Sequence, residues 1–160
     1  MKAGIGSPDQ REIDVIGFHV HENYDDWTLE NDICMLDLAE DADFSSDFID
    51  AINIPDEDQE YPSGQICTIA GIGLKMNVTT VSDEECRDVY TQDDIFDSMI
   101  CVESESRCYI HFCQDVDGEA LMCGSGLDGI ILWGFGCYMG LPSVYIQTSF
   151  FVSWINAHIS

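Results

Sequence analysis

Cysteine and histidine are the residue types in this sequence that could bind a metal ion or cross-link the chain. Eight cysteines and four histidines are present, and seven of the cysteines lie after residue 60 at irregular gaps. No two cysteines form a Cys-x-x-Cys pair, and the histidines, at positions 19, 21, 111 and 158, lack zinc-finger spacing. Asn77-Val78-Thr79 is an N-glycosylation sequon. The pattern favours disulfides over metal and predicts a secreted, extracellular protein.

The charge of the chain limits the partners that it can bind. Thirty-one Asp and Glu residues against five Lys and Arg give a net charge of −26. That field repels phosphate backbones and anionic lipid headgroups. The apolar run Gly129–Trp133 is far shorter than the roughly 18 residues that cross a bilayer. We therefore expect neither nucleic acid nor a membrane as a partner. A cationic partner or a bound divalent cation stays open, and the simpler explanation of the negative charge is that it keeps the protein soluble.

Short strands are the elements that would position any functional side chains. The length of 160 residues and the apolar content of 46% are typical of one packed domain. Runs rich in β-formers recur every 8–20 residues with Gly, Asn and Asp between them, which predicts an antiparallel sandwich or barrel. The predicted strands are residues 12–20, 33–38, 50–54, 65–72, 74–80, 119–123, 128–135 and 143–148.

Two helices are predicted among these strands. Ser82 has the properties of an N-cap, followed by acidic residues in the first turn and then by Cys86–Tyr90. In the last segment, residues 149–158, four side chains recur at helical spacing and so share one face. They are Phe151, Trp154, Ile155 and His158.

Six segments, in order along the chain, resemble motifs of the trypsin-like serine proteases of the chymotrypsin fold. Asn31-Asp32-Ile33-Cys34-Met35-Leu36 resembles the box that carries the catalytic aspartate. The others resemble the Cys-x-x-Ala-Gly strand, the intermediate helix with the strand after it, the two walls of the primary specificity pocket and the closing helix. They are residues 67–73, 81–101, 132–137, 142–145 and 151–155. The character is closest to acidic invertebrate trypsins of earthworm or crustacean type.

The resemblance implies a fold and a division of the chain. It implies an all-β fold of trypsin-like antiparallel β-barrels, in one domain over residues 1–160, with a C-terminal helix. Residues 1–62 would form a partial N-terminal barrel half, and residues 63–160 a complete C-terminal barrel. Half a barrel exposes sheet edges and an apolar face, so we expect self-association or a partner chain that supplies the absent strands.

The segment that resembles the nucleophile motif departs from the family. The family's Cys-Gln-Gly-Asp-Ser-Gly-Gly-Pro-Leu is Cys113–Leu121 here, with Asp117 at the serine, Asp115 at the oxyanion-hole glycine and Val116 at the aspartate that pairs with the activated N-terminus. A carboxylate cannot form the usual acyl-enzyme, and two carboxylates would repel the developing oxyanion. The family's histidine box is not found, so Asp32 is the one triad residue retained. The resemblance therefore implies an inactive homologue.

The specificity pocket that the resemblance implies is also altered. His111 occupies the position at its base where trypsins have an Asp, and Leu132 and Ser143 replace the usual Ser and Gly of its walls. Trp133 and Gly134 complete one wall. A pocket of this composition would be smaller and less acidic than that of a trypsin.

The resemblance also assigns the cysteines. Cys34 and Cys108 are left unpaired; we expect Cys34 to be a small buried thiol and Cys108 to lie in a surface loop. The implied disulfides are Cys67–Cys123, Cys86–Cys101 and Cys113–Cys137.

Two further chemical hypotheses stay open beside a structural role for the same residues. Asp32 and Asp117 could form a carboxylate pair for acid–base chemistry, although no histidine lies between them. His111 could bind a metal with Asp115 or Asp117, but a pocket histidine satisfied by hydrogen bonds is the simpler expectation.

The preferred hypothesis is a secreted, non-catalytic trypsin-fold homologue that acts as a binding, scaffolding or structural subunit of an extracellular assembly. The alternative is an incomplete or degraded serine-type endopeptidase. A weaker alternative is a carrier of a ligand or pigment, held in the altered pocket or on Cys108.

Overall fold

The structure is a computed structural model that describes residues 2–5, 11–45, 49–71, 74–91, 95–104, 119–124, 126–134 and 141–159. It is mostly β, with one closed barrel, one open sheet and a C-terminal helix. The expected architecture of one complete barrel, one partial sheet and a C-terminal helix is therefore confirmed. Among the described residues no helix is long and apolar enough to cross a membrane.

The open sheet comes first in the chain and has three antiparallel strands. They are β1 (Lys2–Ile5), β2 (Arg11–Val20) and β3 (Cys34–Leu38), in the order β1-β2-β3. The strand β1 is not predicted from the sequence. Phe18 pairs with Leu36 and Val20 with Cys34, while Val15 pairs with Leu38; Ile16 lies at the irregularity between them. Such a bulge bends the strand locally.

The closed barrel has six antiparallel strands and follows in the chain. It joins them in the order β4-β5-β6-β9-β8-β7, so each strand has a neighbour on both edges. Its interior contains Cys67, Ile69, Leu121 and Tyr145, all less than 6% exposed. Burial of these side chains supplies most of the stability of the barrel. The strands are β4 (Ile66–Gly71), β5 (Leu74–Val81), β6 (Met99–Glu103), β7 (Ala120–Met122), β8 (Gly129–Gly134) and β9 (Ser143–Gln147).

The strand predicted at residues 50–54 is wrong. This segment makes only an isolated parallel bridge, between Asn53 and Gly126. A side chain at Gly126 would put its Cβ 2.9 Å from the backbone oxygen of Asn53. The apolar residues of the segment therefore belong to a connection that crosses close to the barrel backbone, and the alternation that suggested a strand has no sheet partner.

The helix α1 (Asp83–Val89) begins with a capping box. The Ser82 hydroxyl accepts a hydrogen bond from the Glu85 N–H, and the Glu85 carboxylate accepts one from the Ser82 N–H. Arg87 in the last turn donates to an Asp97 carboxylate oxygen at 2.7 Å. Both ends are thus stabilised by local side chains, and the predicted N-cap is confirmed.

The carboxy-terminal helix begins later than predicted. Thr148–Phe151 form one turn of 3-10 helix, and α2 runs over Val152–His158. Phe151 and Ile155 pack with Ile33, the residue directly before β3, and with Ile146 of the barrel. This hydrophobic cluster is therefore the contact through which the helix holds the open sheet against the barrel.

Two disulfides lie among the described residues, Cys67–Cys123 and Cys86–Cys101. They are two of the three pairings that the resemblance implies, and the third, Cys113–Cys137, lies outside those residues. Cys34 is free, as expected, but it is exposed. The prediction of a buried thiol is wrong, because nothing among the described residues covers the face of the sheet on which Cys34 lies.

Candidate functional site

Asp32, the residue at the triad aspartate position, lies two residues before β3, which begins at Cys34. Asn31 before it has a left-handed backbone (φ 57°), and its carbonyl accepts a hydrogen bond from the Ile33 N–H at 2.8 Å. Partial burial raises the pKa of the Asp32 carboxyl group, and the charge of Asp32 raises the pKa of Tyr24. No side chain of the described residues donates a hydrogen bond to the Asp32 carboxylate. Its position thus comes from the turn before β3.

The remaining residues predicted for catalysis and for the pocket base lie outside the described residues. These residues are His111, Asp115 and Asp117. The cysteines Cys108, Cys113 and Cys137 lie outside the described residues as well. The structure therefore neither places Asp117 near Asp32 nor tests the metal hypothesis for His111. Within the described part of the chain, no group of three or more His, Cys, Asp or Glu side chains is arranged to hold a metal ion.

The two predicted pocket walls are neighbouring strands. Gly134 on β8 pairs with Ser143 on β9, and Trp133 pairs with Val144. A Cβ at Gly134 would lie 2.7 Å from the Ser143 Oγ. A side chain at position 134 would therefore require the Ser143 hydroxyl to move, and the close approach of the two walls depends on glycine.

Leu132 and Trp133 pack into hydrophobic clusters. Leu132 contacts the cluster around Cys86 and Val144 and also the cluster that holds the helix α2. The Trp133 ring lies 6.2 Å from the Tyr90 ring, edge to face, and its buried Nε1–H has no acceptor among the described residues. These two side chains therefore have packing roles in the described structure, and the pocket base that would complete a binding site is not described.

A buried carboxylate inside the barrel was missed by the sequence analysis. Glu119, two residues before Leu121, is 6% exposed and accepts a hydrogen bond from the Tyr145 hydroxyl at 2.7 Å. Burial raises the pKa of Glu119, and the same burial, together with the Glu119 carboxylate, raises the pKa of Tyr145. Glu119 directly precedes β7 and is two residues from the buried Leu121, and this spacing is the signal that could have placed the carboxylate on the inner face.

A histidine cluster where the open sheet meets the helix α2 was also missed. The ring centroids of His19 and His158 are 5.2 Å apart, and His21 lies 5.2 Å from Trp154. The His19 Nε2 atom is 3.0 Å from an Asp37 carboxylate oxygen. His19 lies near the end of β2 and His21 directly after it, and their two-residue spacing puts both on one side of the extended chain. Only the packing of α2 brings His158 to them.

Glu22, two residues after the end of β2, contacts both Trp154 and His158 of α2. The Trp154 Nε1–H donates to one Glu22 carboxylate oxygen at 3.0 Å, and the His158 Nε2 lies 3.7 Å from the other. A backbone hydrogen bond, and after it the bond from Trp154, lowers the pKa of Glu22. The open sheet is therefore joined to α2 by polar contacts as well as by the hydrophobic cluster.

The opposite face of β2 and β3 is apolar and exposed. We call it the open face and define it by the cross-strand pairs Phe18–Leu36 and Val20–Cys34. Phe18 is 68% exposed, Val20 46% and Leu36 43%. Ile16, at the bulge beside it, is 72% exposed. Contiguous apolar exposure of this kind marks an interaction surface more often than scattered apolar residues do.

The sequon residue Asn77 is exposed on β5. Its side-chain oxygen accepts a hydrogen bond from the Thr68 hydroxyl at 3.4 Å. The position is therefore accessible to a glycan.

Comparisons with known proteins agree with this architecture. The sequence model of the Trypsin family matches residues 2–155. The chain is 33% identical to trypsin-1 of Astacus astacus over 96% of this chain and 70% of that protein. It is 29% identical to protein masquerade of Drosophila melanogaster, over 97% of this chain and 17% of that protein.

A solved structure has the same fold. Kallikrein-related peptidase 10 in complex with Zn²⁺ superposes with a TM-score of 0.82 at 28% identity, over 99% of this chain and 78% of that chain. The chain thus spans about three quarters of the length of that structure, 70% of the crayfish trypsin and only 17% of masquerade.

Proposed function

The chain belongs to the trypsin family, and from that premise we propose that it is a non-catalytic homologue that acts by binding. Family membership leaves two classes, a peptidase or a non-catalytic homologue. We infer the second class, in the role of a binding, scaffolding or structural subunit of an extracellular assembly. The observation that carries the proposal is the open face, whose apolar side chains are exposed on an otherwise well-packed fold.

The residues at the nucleophile motif support the absence of catalysis. Asp117 and Asp115 stand where the family has its serine and its oxyanion-hole glycine. A carboxylate at 117 cannot transfer a proton to a base and attack a peptide carbonyl as a hydroxyl does. Negative charge at both positions opposes the oxyanion that forms in the transition state, whose stabilisation is usually the largest catalytic contribution.

The architecture supports a role in binding. The barrel is closed and carries the disulfide Cys67–Cys123, so it can act as a rigid support. Within the described residues, the open sheet has two edge strands, β1 and β3, and an apolar face that no other element covers. Another protein chain, or a second copy of this one, would bury that face and add strands at those edges.

Secretion is part of the proposal. Disulfides persist in oxidising compartments, and the Cys86–Cys101 bond joins α1 to the barrel. The exposed sequon at Asn77 fits the same compartment. We propose no cofactor for the binding role.

The activity of the purified protein tests the proposal. We expect no cleavage of arginine, lysine or aromatic peptide amides and no labelling by diisopropyl fluorophosphate, under conditions in which an active trypsin is labelled completely. The matched control is Asp117→Asn, which removes the carboxylate without adding a hydroxyl. Turnover present in the wild type and lost in Asp117→Asn would contradict the proposal, whereas turnover equal in both, abolished by the fluorophosphate, would come from a contaminating peptidase.

A further inference from the structure

The outer wall of the closed barrel carries a chemical group that the binding role does not use, the side-chain amide of Asn77. This residue is exposed and begins the sequence Asn77-Val78-Thr79 in the middle of β5. Its Oδ1 atom accepts a hydrogen bond from the Thr68 hydroxyl, and among the described residues its Nδ2 atom donates none. This nitrogen is the atom to which an N-linked glycan is attached.

The folded barrel has room for a glycan at this position. Side chains alternate between the two faces of a strand, so Asn77 and Thr79 lie on the outer face of β5. Val78 between them is 4% exposed and belongs to the barrel interior. Lys75, two residues before Asn77 on the outer face, is exposed as well. A sugar on Asn77 therefore extends away from the barrel without displacing a core side chain.

The pairing of β5 restricts when that glycan can be attached. Asn77 pairs with Thr68 of β4. Thr79 pairs with Ile66 of β4 and with Glu103 of β6. The backbone of the sequon is thus fixed in extended form, with its Asn and Thr positions about 7 Å apart along the strand.

A transferase has to engage both outer residues of a sequon at once, because the motif requires a hydroxyl group two residues after the asparagine. A strand held in the closed barrel cannot bend to bring the Thr79 hydroxyl towards the Asn77 amide. Release of β5 would also withdraw Val78 from the core cluster of the barrel. Opening of such a core element is the costliest kind of local unfolding. The transfer therefore has to precede closure of the barrel.

We propose that Asn77 carries an N-linked glycan, attached while the chain is unfolded, and that closure of the barrel ends the period in which it can be attached. The co-substrate is a lipid-linked oligosaccharide diphosphate. The Asn77 Nδ2 atom forms a bond to the anomeric carbon of the first N-acetylglucosamine. The bond from that carbon to the diphosphate oxygen breaks, its electron pair leaves with the lipid diphosphate, and one Nδ2 proton passes to solvent.

This inference rests on the proposed secretion, because the donor and its transferase occur in the secretory compartment. The test of the site uses the full 160-residue chain, translated behind a cleavable secretory signal into microsomes. We expect one glycan, seen as a gel shift that peptide N-glycosidase F reverses. Asn77→Gln and Thr79→Ala should lose the shift completely, whereas Thr79→Ser keeps the hydroxyl group and should retain it.

The matched control places a sequon in a loop. Asp43→Asn, made together with Asn77→Gln, creates an Asn-x-Ser sequon at residues 43–45, which lie outside any strand or helix. An amide oxygen at position 43 can still accept the hydrogen bond that the Ser45 N–H donates to Asp43. In microsomes we expect this variant to carry one glycan, as the wild type does.

The timing is tested on folded proteins that have no glycan. Both the wild type and the loop-sequon variant are produced in a bacterial periplasm, where disulfides form. They are then treated with detergent-solubilised transferase and the lipid-linked donor. We expect modification of the loop sequon and none at Asn77, because only the second sequon is paired within the barrel.

Two results would overturn the inference. A wild-type chain without a glycan, in microsomes that modify the loop sequon, would mean that Asn77 is not a site. Equal modification of the two folded proteins would mean that β5 leaves the barrel readily, and the proposed timing would be wrong. Neither result depends on natural secretion, because the added signal supplies entry to the compartment. The proposed secretion fails separately if the natural protein is found inside cells with its cysteines reduced.

Discussion

The barrel and the open sheet are both antiparallel, but only in the barrel is every strand paired along both of its edges. The barrel closes on itself through six strands, while the sheet ends at β1 and β3. Leu121 inside the barrel is fully buried, whereas Leu36 on the sheet is 43% exposed. Closure therefore converts an apolar strand into core, and the same kind of strand without closure becomes a surface that can bind.

The two regions also depend on different contacts for their stability. The barrel is held by its own interior cluster and by the disulfide Cys67–Cys123. The open sheet gains its main contact with the rest of the molecule from Ile33 and from the polar contacts of Trp154 and His158. We infer that the sheet opens locally at a lower free energy than the barrel unfolds.

The largest predicted difference comes from a matched pair of leucines. Leu121→Ala should lower the free energy of unfolding by about 2–5 kcal/mol, because it leaves a cavity in the closed barrel. Leu36→Ala should lower it by less than about 1 kcal/mol, because the side chain is already partly hydrated. Urea unfolding followed by tryptophan fluorescence measures both. Equal losses would mean that the open face is covered in solution.

The next prediction concerns the buried hydrogen bond in the barrel. Tyr145→Phe leaves the Glu119 carboxylate buried without its donor and should destabilise the protein by about 1–3 kcal/mol. Leu36→Ala serves as the reference for a change outside the barrel. A loss smaller than that of the reference, measured by thermal unfolding at pH 7, would mean that Glu119 is hydrated in solution.

The pH dependence of the same site follows from the raised pKa of Glu119. A carboxyl group whose pKa is higher in the folded state than in the unfolded state contributes its full stability at low pH and loses it as the pH rises through the folded-state value. Glu119→Gln cannot ionise and should therefore gain stability relative to the wild type as the pH rises above about 4.5, the ordinary pKa. The difference should no longer change with pH once the carboxyl group is protonated in both states; a difference that is constant over the whole range would contradict the assignment.

A smaller, local effect is expected where the sheet meets the carboxy-terminal helix. Trp154→Phe keeps most of the apolar contact but removes the exposed hydrogen bond to Glu22, so we expect only a small loss of stability, confined to this contact. Hydrogen exchange should increase in β2 and β3 and stay unchanged in β4 and β9. Increased exchange throughout the barrel would show instead that the sheet and the barrel unfold as one unit.

The smallest effect on stability is expected on the open face. Phe18→Ser should change the free energy of unfolding by no more than about 0.5 kcal/mol, because this side chain is 68% exposed. The same substitution should reduce the binding of a hydrophobic dye such as ANS. A large destabilisation would mean that the protein's own residues pack on Phe18.

Much of the fold was predictable because it depends on local patterns. The recurring β-forming runs predicted five of the six barrel strands, while β6 was implied only by the family resemblance. The sequence Ser82-Asp83-Glu84-Glu85 predicted the start of α1. The strand predicted at 50–54 is wrong because a strand forms only where another strand pairs with it. The alternation of side chains along one segment does not show whether such a partner exists. The isolated bridge from Asn53 to Gly126 does not meet that condition.

The sequence by itself determined the charge, the residue types at the nucleophile motif and the two faces of each strand. Only the tertiary structure decided which face is covered, because coverage depends on residues far apart in the chain. Cys34 was expected to be buried and is exposed for this reason. Glu119 meets Tyr145 across 26 residues, and Glu22 meets Trp154 across 132. Burial and hydrogen-bond partners are properties of the packed chain, and no local pattern contains them.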